Sequence, residues 1–286
     1  MRIDAHQHFW RYTPERFPWI GDRLSILRRD FLPADLAPLL DASAFTSCIA
    51  VQASQDLEDT ETLLAFAEAH AFIAGVVGWV DLQAPTVREQ LATYAPHPKL
   101  VGIRHIVHDE PDDRFLLCPA FCDGIARLEE FGLTYDILIF PRHFAVAAEF
   151  VARFPRQPFV LDHLGKPEIR NAEVRNWERG LRALAAFPNV CAKLSGLVTE
   201  ASWPDWTADQ MRVYLDIAFD AFGADRLMIG SDWPVCTLAG DYARTMRVVI
   251  DYLDGRTPVE QSAVLGGTAQ RLWALPRPMA GQGDRT

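Results

Sequence analysis

Two hydrophobic periods alternate along the chain. Short apolar runs rich in β-branched residues are separated by longer segments in which apolar residues recur at helical spacing. One such helix face consists of Ala147, Phe150, Val151 and Phe154. The apolar runs predict eight strands, over residues 2–8, 46–53, 73–80, 100–107, 133–139, 159–163, 190–195 and 227–231. Strand and helix therefore alternate through the chain.

This alternation predicts an α/β protein, a single-domain (β/α)8 TIM barrel. An open doubly wound sheet is disfavoured, because no strand is followed by G-x-G-x-x-G and no phosphate-binding loop motif is present. We expect the barrel to cover residues 1–275 and a disordered polar tail to follow at 276–286. Residues 11–30, rich in aromatic residues and proline, form a long loop that we expect over the barrel mouth.

Candidate chemistry is concentrated at the predicted strand ends, where barrel enzymes place their functional residues. His6 and His8 are separated by one residue, so both should project from the same strand face. His163 ends the sixth strand, and Asp232 follows the eighth. Ionisable groups in a barrel mouth cost free energy unless they are paired. These four residues therefore predict a catalytic or metal-binding cluster.

Two neighbouring carboxylates have separate expected roles. Asp4 has the same strand parity as His6, one step deeper, where it could orient a histidine ring. Asp162 precedes His163 directly, so the strand alternation predicts that it points away from the site, towards the helices.

Composition and charge narrow the class of partner. The 28 basic and 38 acidic residues give a net charge of −10, which argues against nucleic acid or an anionic membrane surface. The longest apolar run, residues 72–80, is too short to span a bilayer, and Arg2 and Asp4 interrupt any signal-peptide core. Five scattered cysteines suit reduced thiols. We expect a cytoplasmic protein that binds a small molecule; the sequence does not indicate its oligomeric state.

Four motifs together resemble the sugar-lactonase branch of the amidohydrolase superfamily. They are DAHQHFW at residues 4–10, DHLGKP at 162–167, KLSGL at 193–197 and GSDWP at 230–234. The branch includes L-fuconolactonases and L-rhamnonolactonases and is related to 2-pyrone-4,6-dicarboxylate lactonase. The resemblance covers about residues 1–275 and implies a barrel fold and hydrolysis of a sugar-acid lactone.

The sequence departs from the superfamily's full metal pattern. Binuclear members carry a lysine on strand four, where this chain reads GIRH at residues 102–105, and mononuclear members carry a metal-binding histidine on strand five, where it reads TYDI at residues 134–137. His6, His8 and Asp232 remain and could hold a single Zn²⁺. Because metal dependence varies within the branch, we expect that no cofactor is required.

Lactone hydrolysis needs an activated water and donors for the developing oxyanion. Asp232 is the predicted general base, and two of His6, His8 and His163 are predicted to donate to the carbonyl oxygen. The remaining candidates are predicted substrate contacts: Arg104, His105, Tyr135 and Lys193 for the hydroxyls or the carbonyl, and Trp10 and Trp233 as walls for the ring.

Two other functions remain open at this point. A metal-dependent decarboxylase of an aromatic acid would need a complete metal site, and the absent strand-five histidine weighs against it. A non-catalytic barrel that binds a sugar acid would have no need of a general base, so Asp232 weighs against that interpretation.

Overall fold

Eight parallel strands form one sheet whose spatial order follows the chain, in a computed structural model that describes residues 1–276. The predicted tail, apart from Pro276, lies outside the described residues. All eight predicted strands are confirmed. They are β1 (Ile3–Gln7), β2 (Ser47–Val51), β3 (Ile73–Gly78), β4 (Leu100–His105), β5 (Thr134–Ile137), β6 (Phe159–Leu161), β7 (Val190–Leu194) and β8 (Leu227–Ile229).

The first strand and the turn after the last one close the barrel. Gln7 forms a parallel bridge with Trp233, next to a 2.7 Å hydrogen bond from His8 N to the Trp233 carbonyl. Asp232 N donates to the His6 carbonyl at 2.8 Å. The predicted (β/α)8 barrel is thus confirmed, and its closure brings Asp232 beside His6 of β1 and His8, the residue after β1.

Helices follow the strands and cover the outside of the barrel. Pro33 and Pro258 occupy first helical positions, where a missing N–H costs nothing. On the helix Phe144–Arg153, the predicted face residues Ala147, Phe150 and Val151 are buried, and Phe154 directly follows the end of that helix. The helices are α1 (Pro33–Ala42), α2 (Leu57–Ala69), α3 (Val87–Tyr94), α4 (Pro119–Leu128), α5 (Phe144–Arg153), α6 (Arg175–Ala185), α7 (Ala208–Phe222), α8 (Tyr242–Leu253), α9 (Pro258–Ser262) and α10 (Thr268–Leu272).

The interior of the barrel is apolar at one end of its axis and rich in ionisable side chains at the other. Towards the amino ends of the strands, an apolar cluster that includes Ile3, Val160 and Met228 packs with Trp273, just beyond α10. Towards the carboxyl ends, the buried side chains are ionisable. The site therefore stands on a packed apolar base. None of the helices in residues 1–276 is long and apolar enough to cross a membrane.

Candidate functional site

The four predicted catalytic residues meet at the carboxyl end of the barrel. His6 Nε2 lies 3.2 Å from His8 Nε2, and His8 Nε2 lies 3.3 Å from Asp232 Oδ1. His163, just beyond β6, approaches the same carboxylate, with Nε2 3.8 Å from Oδ1. All four side chains are buried. The structure thus gathers one carboxylate and three imidazoles around a common point.

A register irregularity in β1 separates Asp4 from the histidines. It falls between Asp4 and Gln7. Asp4 accepts hydrogen bonds from Ser231 N at 2.9 Å and from the Tyr242 hydroxyl of α8 at 3.0 Å. Its only contact with His6 is with the backbone N. The expectation that Asp4 orients a histidine ring is therefore wrong; it fastens the turn after β8 to α8.

Left-handed backbone conformations aim two of the four catalytic candidates. His163 has φ 53° and Asp232 has φ 57°, a region that non-glycine residues seldom occupy and that is concentrated at functional sites. The turn at His163 allows it to face the interior although Asp162, directly before it, faces inward too. The expectation that Asp162 points outward is wrong, because strand alternation ends at this turn.

Hydrogen bonds fix the proton position on His8 and hold His163. His8 Nδ1 lies 2.8 Å from the Val51 carbonyl, which can only accept. Nδ1 therefore carries a proton, and whenever the ring is neutral its Nε2 has a free lone pair. His163 Nδ1 lies 2.9 Å from Ser195 Oγ. Gly196 is required here, since a Cβ at its φ of 64° would stand 2.5 Å from His163 Nδ1.

A buried ionic network lies beneath the histidines. Lys193 Nζ contacts Asp136 Oδ2 at 2.5 Å and Asp162 Oδ1 at 3.0 Å. Arg104 Nη1 donates to Asp162 Oδ2 at 3.0 Å, and its Nε and Nη2 donate to Gln52 Oε1 at 3.0 and 2.7 Å. Two cations balance two carboxylates, and removing any one member would leave an unpaired buried charge.

Burial and neighbouring charges define the protonation of the site. Burial lowers the pKa of His6 and of His163 well below the usual 6.5, so both rings are neutral at pH 7. Burial alone would raise the pKa of Asp232, but His163 and His8 outweigh it and hold that pKa below 3.8. At neutral pH the Asp232 carboxylate therefore faces the neutral rings of His6 and His163, and this carboxylate can accept a proton from water.

A cavity of about 280 Å³ opens above this cluster. Trp19, from the loop at residues 11–30, forms part of its wall, which agrees with the expected position of that loop. Lys166 contributes a cation, paired with Glu200 at 2.6 Å. The lining residues are His8, Trp19, Ala53, Arg104, Ile106, His108, Asp109, Leu138, His163, Lys166, Asp232 and Val235.

Two predicted substrate contacts face away from the cavity. Tyr135 is fully buried between the helices and the outer barrel face, beside Phe121 and Phe150. His105 stacks on Phe115 and lies 2.6 Å from Glu110 Oε1. Neighbouring side chains in a strand point to opposite faces. Because Arg104 and Asp136 face the interior, His105 and Tyr135 cannot, and their predicted substrate contact is wrong.

Three further candidates lie behind the cavity wall. Trp10 is buried behind Trp19, with ring centres 5.9 Å apart, and donates to the Arg29 carbonyl. Trp233 packs edge-on against Phe31 at 5.3 Å. Lys193 is fully buried in the ionic network. Neither tryptophan forms the wall that was predicted for it, and Lys193 contacts His6 instead of the cavity.

The cavity includes residues that were not among the predicted contacts: Trp19, His108, Asp109 and Lys166. Trp19 had a usable signal, since the aromatic loop was expected at the mouth. Lys166 lies in the DHLGKP motif and adopts φ 53°. His108 and Asp109 lie in a short turn after β4, where no periodic pattern indicates orientation.

The donor set fits a divalent metal ion. The ligand atoms of His6, His8 and Asp232 all lie within 4.8 Å of one another, and each residue offers a nitrogen or oxygen of the type that zinc accepts. His8 donates its Nδ1 proton to the Val51 carbonyl in a hydrogen bond, which leaves Nε2 to bind a metal ion. The predicted zinc-ligating triad is therefore sterically sound. His6 Nε2 can bind a metal ion only when the proton of the neutral ring is on Nδ1.

Comparisons with known proteins agree with this geometry. The amidohydrolase family profile matches residues 3–275. An L-fucono-1,5-lactonase of Burkholderia multivorans is 45% identical, over 97% of each chain, and one of Burkholderia ambifaria is 38% identical, over 98% of each. A crystal structure of a Burkholderia multivorans amidohydrolase with bound zinc superposes with a TM-score of 0.93 at 44% identity, covering 96% of this chain and 100% of that one. The chain belongs to the amidohydrolase family.

Proposed function

We propose that this protein hydrolyses a sugar-acid lactone of the L-fucono-1,5-lactone type to the open-chain acid. The observation that carries the proposal is the Asp232 carboxylate, which is ionised and lies among three imidazoles at the floor of a small cavity. The names of the two Burkholderia relatives support the substrate class. An enzyme of this kind would act in the degradation of L-fucose or a similar sugar.

The first step is attack of water on the lactone carbonyl. Asp232 takes a proton from the water as the water oxygen bonds to the carbonyl carbon. His8 donates from Nδ1 to the Val51 carbonyl. The carbonyl oxygen becomes an oxyanion. Because His8 cannot donate from Nε2 while neutral, His6 and His163 are the two rings that donate to this oxygen.

The second step opens the ring. The tetrahedral carbon expels the ring oxygen, the bond between them breaks, and the proton held by Asp232 passes to the departing oxygen. The product is a hydroxy acid that leaves as its carboxylate, and Asp232 is ionised again. A metal bound by His6, His8 and Asp232 would supply Lewis-acid polarisation of the carbonyl.

The cavity suits a polyhydroxylated ring. About 280 Å³ is near the lower limit for small-molecule sites, and its wall combines the Trp19 ring with Lys166, His108 and Asp109. We propose that the aromatic ring stacks on the sugar face and that the polar side chains bind hydroxyl groups. Arg104 reaches the same cavity and remains a proposed substrate contact.

The two alternative functions have less support. In a decarboxylase of this superfamily the metal site must be complete, yet the β5 position that faces the interior carries Asp136, paired with Lys193. A non-catalytic binder would not need an ionised carboxylate at the cavity floor. The five cysteines, all free, support a reducing compartment such as the cytoplasm as the place of action.

A lactone panel tests the proposal directly. Acid release would be followed with a pH indicator for 1,5- and 1,4-aldonolactones of different configuration, with and without a chelator. We expect turnover of L-fucono-1,5-lactone or a close stereoisomer. No acid release from any sugar lactone would overturn the proposed function, and carbon dioxide release from an aromatic acid would favour the decarboxylase.

A further inference from the structure

His6 contacts the ammonium group of Lys193, which belongs to the buried ionic network beneath the histidines. Lys193 Nζ lies 3.2 Å from His6 Nδ1 with hydrogen-bonding geometry, and an ammonium can only donate. Asp162 Oδ1 is also 3.2 Å from Nδ1, but among the described residues this oxygen has no aligned hydrogen-bond partner. Nδ1 of His6 is therefore an acceptor, so the single proton of the neutral ring must be on Nε2.

The groups around Nε2 are consistent with a proton there. His8 Nε2, 3.2 Å away, is an acceptor because His8 Nδ1 donates to the Val51 carbonyl. Lys193, His6, His8 and Val51 thus form one directed series of hydrogen bonds. Arg104 Nη1 lies farther from His6 Nε2, at 3.4 Å, and has a better acceptor in Asp162 Oδ2 at 3.0 Å.

We propose that Lys193 is a positioning residue that places the His6 proton on Nε2, where it faces the reaction centre as a hydrogen-bond donor. Lys193 is well suited to this, since it is fully buried and anchored by Asp136 Oδ2 at 2.5 Å. The sequence interpretation of Lys193 as a substrate contact is replaced by a role exerted through His6. The part of this proposal in which His6 stabilises the oxyanion rests on the proposed lactone hydrolysis.

The same arrangement opposes metal binding. A metal ligand must offer a lone pair, so His6 would have to move its proton from Nε2 to Nδ1 before it could ligate Zn²⁺. At Nδ1 the proton would have Asp162 Oδ1 as an acceptor 3.2 Å away, but it would also face the Lys193 ammonium at the same distance. The chain therefore has a geometrically sound metal triad in which the Lys193 ammonium disfavours the His6 tautomer that could ligate.

Nitrogen NMR of the metal-free wild-type protein tests the proposal without any variant of Lys193. With ¹⁵N-labelled histidine, each ring shows which nitrogen carries the proton, and His6→Asn and His8→Asn spectra assign the two signals. We expect the Nε2–H form for His6 and the Nδ1–H form for His8, which serves as the internal control. A His6 ring protonated on Nδ1 would overturn the proposal.

Removal of the ammonium gives a second readout. In Lys193→Met the Zn²⁺ affinity, measured by competition with a chromophoric chelator, should rise on the order of 10- to 100-fold, as for other changes behind a metal ligand. Arg156→Gln is the control, because this substitution also removes one positive charge. Arg156 is exposed and paired with Glu129 on the outer surface. Its Zn²⁺ affinity should equal that of the wild type.

The matched double variant protects the test against misfolding. Lys193→Met/Asp136→Asn removes the cation together with its carboxylate partner and leaves Asp162 paired with Arg104, so the network stays neutral. Its Zn²⁺ affinity should rise as in the single variant, while metal-free kcat falls with little change in KM. Unchanged Zn²⁺ affinity in the folded variant would contradict the role of Lys193, whereas a wild-type lactone panel without turnover would contradict only the proposed function.

Discussion

His8 Nε2 and Asp232 Oδ1 lie 3.3 Å apart because the barrel closes between them. The backbone of His8 donates to the Trp233 carbonyl, one residue beyond Asp232, so the contact is part of the same seam that joins β1 to the turn after β8. The base and the histidines are therefore fixed by the fold itself. This rigidity allows a carboxylate to be held, ionised and buried, at the point of attack.

Asp232→Asn should abolish nearly all lactone hydrolysis without changing the fold. The amide keeps the shape of the side chain but cannot accept the proton of the attacking water, and loss of a general base costs on the order of 100- to 10,000-fold in rate. The measurement is kcat on the best lactone, with circular dichroism and thermal unfolding as controls for folding. A kcat close to that of the wild type would remove Asp232 from the role of base.

The barrel and the four-residue cluster could be predicted because both follow from simple periodicity. Eight apolar runs define the strands, and the ends of parallel strands meet at one edge. The convergence of His6, His8 and Asp232 could be predicted from this rule alone. Their convergence in the structure is as predicted, while their catalytic roles remain proposals.

Two of the errors have one physical origin, which is that a sequence does not reveal which strand face is inward. Tyr135 and His105 were assigned to the cavity but are direct neighbours of the inward-facing Asp136 and Arg104. Asp4 is displaced by an irregularity of register in β1. Such departures depend on the packing of neighbouring strands, which no local pattern encodes.

Gly196→Ala should impair catalysis through His163. A Cβ at this position would stand 2.5 Å from His163 Nδ1, so the ring must move, and a displacement of about 1 Å in a reacting group can cost on the order of 100-fold in rate. The measurement is kcat/KM on the best lactone substrate.

Gly132→Ala is the matched control for this variant. Gly132 has φ 67°, similar to the 64° of Gly196, but a Cβ there meets no atom within 4 Å. It should lose about 1 kcal/mol of stability from backbone strain and keep its kcat/KM. Equal effects of the two substitutions on kcat/KM would show that strain alone, and not the contact with His163, is responsible.

Sugar-acid lactones should be much better substrates than simple aliphatic lactones. A hydrocarbon ring would bring no hydroxyl groups to Lys166, His108 and Asp109, and each polar group left unpaired on binding costs roughly 1–3 kcal/mol. The comparison is kcat/KM for γ-butyrolactone against an L-galacto-configured aldonolactone. Similar values for both would contradict the proposed binding of sugar hydroxyls by the cavity wall.

Asp59 should make the stability of the barrel depend on pH. Burial raises its pKa from 3.8 to about 7; the hydrogen bond from Ala53 N at 3.0 Å opposes this increase, and the Asp56 charge adds to it. Because the folded state binds this proton more tightly than the unfolded state, the resulting stabilisation is complete below about pH 4 and is lost as pH rises through about 7.

Asp59→Asn isolates this contribution, because the amide can still accept from Ala53 N but cannot ionise. Between about pH 4 and pH 7 the free energy of unfolding of the wild type should fall relative to that of the variant. Urea unfolding of both proteins across this range is the measurement. Parallel pH profiles would show that Asp59 does not titrate in the folded protein within this window.

Lactone hydrolysis should survive exhaustive chelation. Asp232 supplies the base, and two neutral imidazoles supply donors to the oxyanion, so the chain holds every group that ester hydrolysis requires. Zn²⁺ would lower the pKa of a bound water and so replace the base. Because the triad of His6, His8 and Asp232 fits Zn²⁺, chelation tests whether the ion is needed.

The measurement is kcat/KM before and after stripping, with metal content determined by elemental analysis and Ca²⁺ added back as a control. Activity that disappears on stripping and returns with one equivalent of Zn²⁺, but not of Ca²⁺, would show that His6 gives up its Nε2 proton and that the triad is a catalytic metal site.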